Sequence, residues 1–176
     1  KRLTPMLNWF FNRADSRRKA SEFYGAVVTF ARRPGLYETI GVADTPEGRY
    51  ETLVLHLFLV MERLRAAGEA AAQQSQSLLE AFVTDLDDNM REMGIGDLTV
   101  PKKVKKAAAA FYDRAEVYRA AMAGGDKELA DLLARLIPAA AGRTLDAAAL
   151  AADIRGQAVK LEAQPLDGVL AGNLPE

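Results

Sequence analysis

The stretch Leu53–Met61, reading LVLHLFLVM, constrains the fold more than any other part of the chain. At helical spacing it is apolar nearly all round, interrupted only by His56. A helix without a polar face has to be surrounded by protein. Thr45-Pro46 precedes it, with proline at the favoured first helical position, and the pattern predicts one helix reaching about Ala67. The run is well short of the roughly 20 residues that cross a bilayer. It therefore belongs at the centre of a helical bundle.

The flanking sequence agrees. Alanine is abundant, β-branched residues are sparse, and no run alternates with period two. Asp15 or Ser16 can cap a helix that ends before Pro34-Gly35, with Ala20, Phe23, Tyr24, Val27 and Ala31 as its apolar stripe. A loop or short turn is expected over Gly35–Asp44. A further helix is expected from about Glu69 to Met93, with Gly94 as a left-handed cap and Ile95 folding back as its hydrophobic contact. Thr99 and Pro101 start the next, which reaches about Met122. Asp126 caps a short helix with Leu129, Leu132, Leu133, Leu136 and Ile137 inside, stopped at Pro138. A last helix covers about Leu145–Ala163. The prediction is an all-α fold, a single globular bundle of about six to eight helices over 1–164, with 165–176 as a loose tail. Pro5–Phe11, which holds the only tryptophan, Trp9, is expected to cover the bundle, with an interfacial anchor as the other reading. Lys1–Phe11 has one short apolar cluster and no small-residue cleavage site, so no signal peptide is expected.

Composition narrows the chemistry. Cysteine is absent, so disulfides, thiol catalysis and the usual zinc ligand set are excluded. His56 is the single histidine; without a second His or a Cys it reads as packed or capped, on the least apolar side of its helix with Thr52 and Arg63. The expectation is no catalytic residue, no cofactor and no metal. Net charge is −1, so electrostatic recognition must come from local patches. One patch is Arg13, Arg17, Arg18 and Lys19, with Arg32 and Arg33 at the far end of the same helix. The other is Lys102, Lys103, Lys105 and Lys106. These point away from the stripe Val104, Ala108, Phe111, Ala115, Tyr118 and Met122, and crowd a helix N-terminus, where acids are favoured. Tyr37 and Tyr112 are the tyrosines expected at the surface near these clusters. An acidic set, Glu80, Asp85, Asp87, Asp88, Glu92 and Asp97, reads as a solvated face. Asp85 and Asp88 also admit a magnesium-dependent helical prenyl-diphosphate enzyme, though no second aspartate-rich helix is visible. A ribosome- or RNA-binding adaptor using the basic clusters is a third class.

The order of elements around Asp88–Lys106 carries a resemblance. Arg91-Glu92-Met93-Gly94-Ile95-Gly96-Asp97-Leu98 is followed by Lys102–Lys106 and Phe111-Tyr112. Arg17-Arg18 with Phe23-Tyr24, Ala31-Arg32-Arg33-Pro34 with Tyr37, and Gly48-Arg49-Tyr50-Glu51 with Leu55-His56 add to it. Over about Arg17 to Leu136 the chain resembles the ubiquinol–cytochrome c chaperones. The resemblance implies a helical, non-enzymatic assembly chaperone whose client is newly made cytochrome b, ahead of assembly into the bc1 complex. It also implies a ribosome as partner, and a small helper subunit such as the mitochondrial relative uses. The alanine- and arginine-rich composition looks like a bacterial relative. That implies a cytoplasmic protein with peripheral contact at the inner membrane, or the mitochondrial matrix for a trimmed eukaryotic form. No small-molecule substrate is implied. The positions carried over as partner-binding are Arg17, Arg18, Arg32, Arg33, Tyr37, Lys102, Lys103, Lys105, Lys106 and Tyr112.

Overall fold

A computed structural model describes the backbone over 5–92 and 100–176, and side chains over 15–89 and 105–176. In chain order the elements are α1 (Pro5–Phe30), α2 (Pro34–Glu38), α3 (Pro46–Ala66), a 3-10 turn (Gly68–Ala71), α4 (Ala72–Glu92), α5 (Val100–Ala123), α6 (Asp126–Leu136), α7 (Ala147–Ala163) and α8 (Leu166–Leu170). The fold is all-α, as expected. Among the described residues the only β-type pairing is an isolated bridge between Val42 and Ala139.

α3 is the central helix. Thr45 caps it by accepting the Gly48 amide at 3.2 Å, Pro46 occupies its first turn, and Arg63 and Arg65 sit in its last turn, where they complement the helix dipole. Val54, Leu55, Leu57, Phe58, Leu59 and Val60 are all buried, so every side of the run is covered. The covering helices are α1, α4, α5 and α7. Rings stitch them together: Phe58 meets Tyr118 at 5.4 Å, Phe82 meets Phe111 at 5.9 Å, and Tyr24 lies 6.4 Å from Phe82. Each such side chain, fully buried, stabilises the fold by about 2 kcal/mol relative to exposure.

Ion pairs hold the outer edges. Arg114 meets Glu51 at 2.6 Å and Arg119 meets Glu62 at 2.7 Å, both joining α5 to α3. Two arginines finish helices from a distance. Arg63 donates to the carbonyls of Leu161 and Gln164 at the end of α7, and Arg155 donates to those of Met122 and Gly124 at the end of α5. A helix leaves its last carbonyls unpaired, and these guanidinium groups satisfy them.

Four boundaries differ from the sequence reading. α1 begins ten residues before Asp15, because Asp15 and Ser16 lie inside a continuous helix; Asp15 pairs instead with Arg18 and Lys19 at 2.8 and 2.9 Å. The Trp9 segment thus forms the first turns of α1, its side chains outside the described residues. The expected loop after Pro34 contains α2, whose proline sits in the first turn and whose Leu36 is buried. Asp126 is the first residue of α6 rather than its cap, which is Gly125. The expected loose tail carries α8, and its Val169 is fully buried. Leu166, Leu170 and Leu174 pack against the core beside it. The expected Gly94 cap, its Ile95 contact and the Thr99 start fall outside the described residues. α5 itself runs Val100–Ala123, close to expectation.

One glycine is fixed by packing. A Cβ at Gly48 would sit 2.0 Å from the Ala43 carbonyl oxygen, so the chain entering α3 approaches where no side chain fits. Gly48→Ala should cost about 2 kcal/mol or more. A thermal melt that is unchanged from the parent would contradict this packing.

Candidate functional site

The described residues form two large grooves, on different sides of α1. The first, about 880 Å³, lies where the end of α1 meets α2 and the C-terminal segment. Its walls are mainly apolar: Ala26, Phe30, Leu36, Ile40, Leu174 and Pro175. The C-terminal segment reaches it because Gly172 adopts φ +84 and passes so close to α1 that a Cβ would lie 3.1 Å from that of Ala26. Only glycine combines that dihedral with that approach.

A polar chain runs beneath this groove. Arg33 reaches Asp153 of α7 through both guanidinium nitrogens, at 3.2 and 2.6 Å, and both residues line the groove. The same guanidinium donates to His56 Nε2 at 3.3 Å, to the Phe30 carbonyl at 3.2 Å, and lies 5.3 Å from the Phe30 ring centre. His56 is fully buried, and its Nδ1 lies 2.7 Å from the Thr52 carbonyl. A carbonyl only accepts, so Nδ1 carries the proton and Nε2 offers a lone pair to Arg33. The ring is neutral: its pKa lies at about 4, pulled down mainly by burial and also by the charge of Arg33, against the smaller upward pulls of the Thr52 carbonyl and Asp153. At Asp153 burial alone would raise the pKa. The hydrogen bonds and charge of Arg33, with help from Gln157, outweigh it and hold the carboxyl below its usual range. Tyr37 closes the chain, with its hydroxyl 3.2 Å from the Ala31 carbonyl and 3.1 Å from Thr52 Oγ1.

The second groove, about 960 Å³, lies between α1 and α4 and reaches Ala108 of α5. Its charged groups are mainly acidic: Glu80, Asp85, Asp87 and Asp88 from α4, against Arg17 from α1. Tyr24 donates to Asp85 at 2.7 Å across it.

Against this geometry the expected partner-binding residues divide. Arg17, Arg18 and Arg32 are exposed; Arg18 is shared between Asp15 and Glu22. Lys105, Lys106 and Tyr112 are exposed, Tyr112 at 55%. Lys102 and Lys103 stand in the first turns of α5, their side chains outside the described residues. Arg33 and Tyr37 correct the sequence reading. Neither is a free surface group, because each spends its polar atoms on partners inside the bundle. The main partner of Arg33, Asp153, lies 120 residues along the chain, which is why local sequence did not reveal it. Arg17 lines the mainly acidic groove. Asp85, considered for magnesium, is engaged by Tyr24. Among the described residues no group of three or more His, Asp or Glu side chains is placed to hold a metal ion.

Comparison with known proteins decides the relationship. The sequence pattern described as ubiquinol–cytochrome C chaperone matches residues 38–175. This chain belongs to the ubiquinol–cytochrome c chaperone family. A solved structure, the crystal structure of the Cbp3 homolog from Brucella abortus, superposes with a TM-score of 0.77 at 33% identity, covering 96% of this chain and 94% of that one. No curated protein sequence matches. As a ubiquinol–cytochrome c chaperone the molecule has a client protein. The family match extends through the C-terminal segment on one side of the first groove, while the lining from Ala26 to Leu36 on the other side precedes it. The match runs past Leu136, where the recognisable sequence motifs stop.

Proposed function

We propose that this chain is a non-enzymatic assembly chaperone that holds newly made cytochrome b before it enters the bc1 complex. It works in the cytoplasm against the inner membrane of a bacterial cell. Family membership supports the reading, and the observation that carries it is the mainly apolar groove between α1, α2 and the C-terminal segment. A client of this kind is a set of apolar helices with charged flanks. A holder for it needs an apolar recess deep enough to exclude water and a rim that reads charge. The groove supplies a mainly apolar recess, and the exposed arginines and lysines nearby in sequence supply cationic groups outside it. Deleting the gene in the source organism is expected to lower membrane cytochrome b and assembled bc1 complex, read by heme absorbance and native electrophoresis. Normal levels in the deletion strain would argue against cytochrome b as client.

The exposed Lys105, Lys106 and Tyr112 favour a second contact, with the ribosome that makes the client. Replacing Lys102, Lys103, Lys105 and Lys106 by Gln should leave the melting temperature within a few degrees of the parent. Surface changes cost within about 0.5 kcal/mol each, and removing positive charge from a helix N-terminus is favourable. The same variant is expected to cosediment less with ribosomes, with the difference shrinking as salt rises. A lowered melting temperature with unchanged cosedimentation would make these lysines structural.

A further inference from the structure

We propose that the groove between α1 and α4 is a docking site for a basic amphipathic helix, the lysine- and arginine-rich flank of a client membrane segment. The source of that helix rests on the cytochrome b reading; the chemistry of the groove does not. Along α4, Glu80, Thr84, Asp87 and Asp88 recur at the spacing of one helix face and line the groove beside Leu79 and Val83. Ala20 of α1 and Ala108 of α5 are small residues opposite them, which keeps the recess open. The result is an apolar floor with an acidic edge, where Arg17 is the one basic side chain among the described residues that line it.

Such a surface selects by charge and by amphipathic form together. A helix laid in a groove is read through apolar anchors about one turn apart, and the acidic edge favours lysine or arginine on its polar side while repelling an acidic helix. Membrane proteins supply that kind of segment, because the flanks of their spans are enriched in Lys and Arg on the cytoplasmic side. The first groove, mainly apolar, and this one, acid-edged, then hold two chemically different parts of one client.

The test uses the whole chain and two labelled peptides, one with leucines and lysines at helical spacing, the other with glutamate in place of lysine. Fluorescence anisotropy is read at low and high salt. The lysine peptide should bind and the glutamate peptide should not. Glu80→Gln with Asp88→Asn, both exposed in the parent, should weaken the lysine peptide about tenfold, with a flatter salt dependence. Asp113→Asn with Glu162→Gln, exposed and outside the groove, should bind like the parent. Thr84→Arg, which places a cation in the groove, should also weaken binding and serves as a second variant if the acid pair perturbs the fold. Equal binding of the two peptides, or parent-like binding by both groove variants, would overturn the proposal. The deletion strain reports separately on cytochrome b. Peptide binding with normal bc1 levels would leave the groove standing and remove only the named client.

Discussion

Arg33→Ala is expected to destabilise the fold by about 3 kcal/mol, the scale for removing one partner of a desolvated pair. The pair is well shielded, with side-chain exposure of 20% for Arg33 and 24% for Asp153. Without the guanidinium, Asp153 keeps only Gln157 as a side-chain donor, and the His56 lone pair loses its donor inside the core. The stacking on Phe30 goes as well. Asp153→Ala should cost less, because Arg33 retains the Phe30 carbonyl and His56. The double variant should be less destabilised than the two single losses added together. Urea denaturation of the four proteins measures this. Strict additivity would mean that the two charges do not act as a pair.

Acid should destabilise the protein well above the pH range where carboxylates protonate. His56 is neutral in the fold, with its pKa pulled down from 6.5 to about 4. Between those values the unfolded chain takes up a proton that the folded chain refuses. The stability contributed by the neutral ring is complete above about 6.5 and falls as pH drops toward 4, by on the order of 3 kcal/mol. Denaturation midpoints at pH 7.5, 6 and 5 should fall in that order. His56→Phe keeps a ring against Phe30, removes the titration and should flatten the trend over this interval, while lowering stability at pH 7.5 because Arg33 and the Thr52 carbonyl lose their partner. A parent midpoint constant from pH 7.5 to 5 would show that protonated His56 is accommodated.

The helices were legible because their signals are local. Apolar periodicity located α3, α4, α5, α6 and α7, and Thr45-Pro46 marked the start of α3 to the residue. Where the reading failed, a local signal was true to its type but overruled. Asp15-Ser16 has cap chemistry, yet the residues before it continue the helix, so its carboxylate serves two cations one turn ahead. Pro34-Gly35 reads as a break, yet proline also fits a first turn, and α2 forms there. The candidate site was less legible for the same reason in reverse. Exposure of Lys105, Lys106 and Tyr112 follows from one helix and its stripe. The fate of Arg33 depends on Asp153, 120 residues away, and that of Tyr37 on Thr52 of another helix. Both grooves arise only where helices distant in sequence meet, so neither has a motif of its own.

Site-specific photo-crosslinking in the first groove tests the central claim most directly. Thr39 lines that groove and is exposed, so a photoreactive residue placed there faces whatever the recess holds. Cells expressing this variant would be irradiated during growth and the adducts identified by mass spectrometry. The account predicts a crosslink to cytochrome b that is enriched when translation is active and bc1 assembly is blocked. Adducts without cytochrome b under that block, from a variant that still restores the deletion strain, would contradict it.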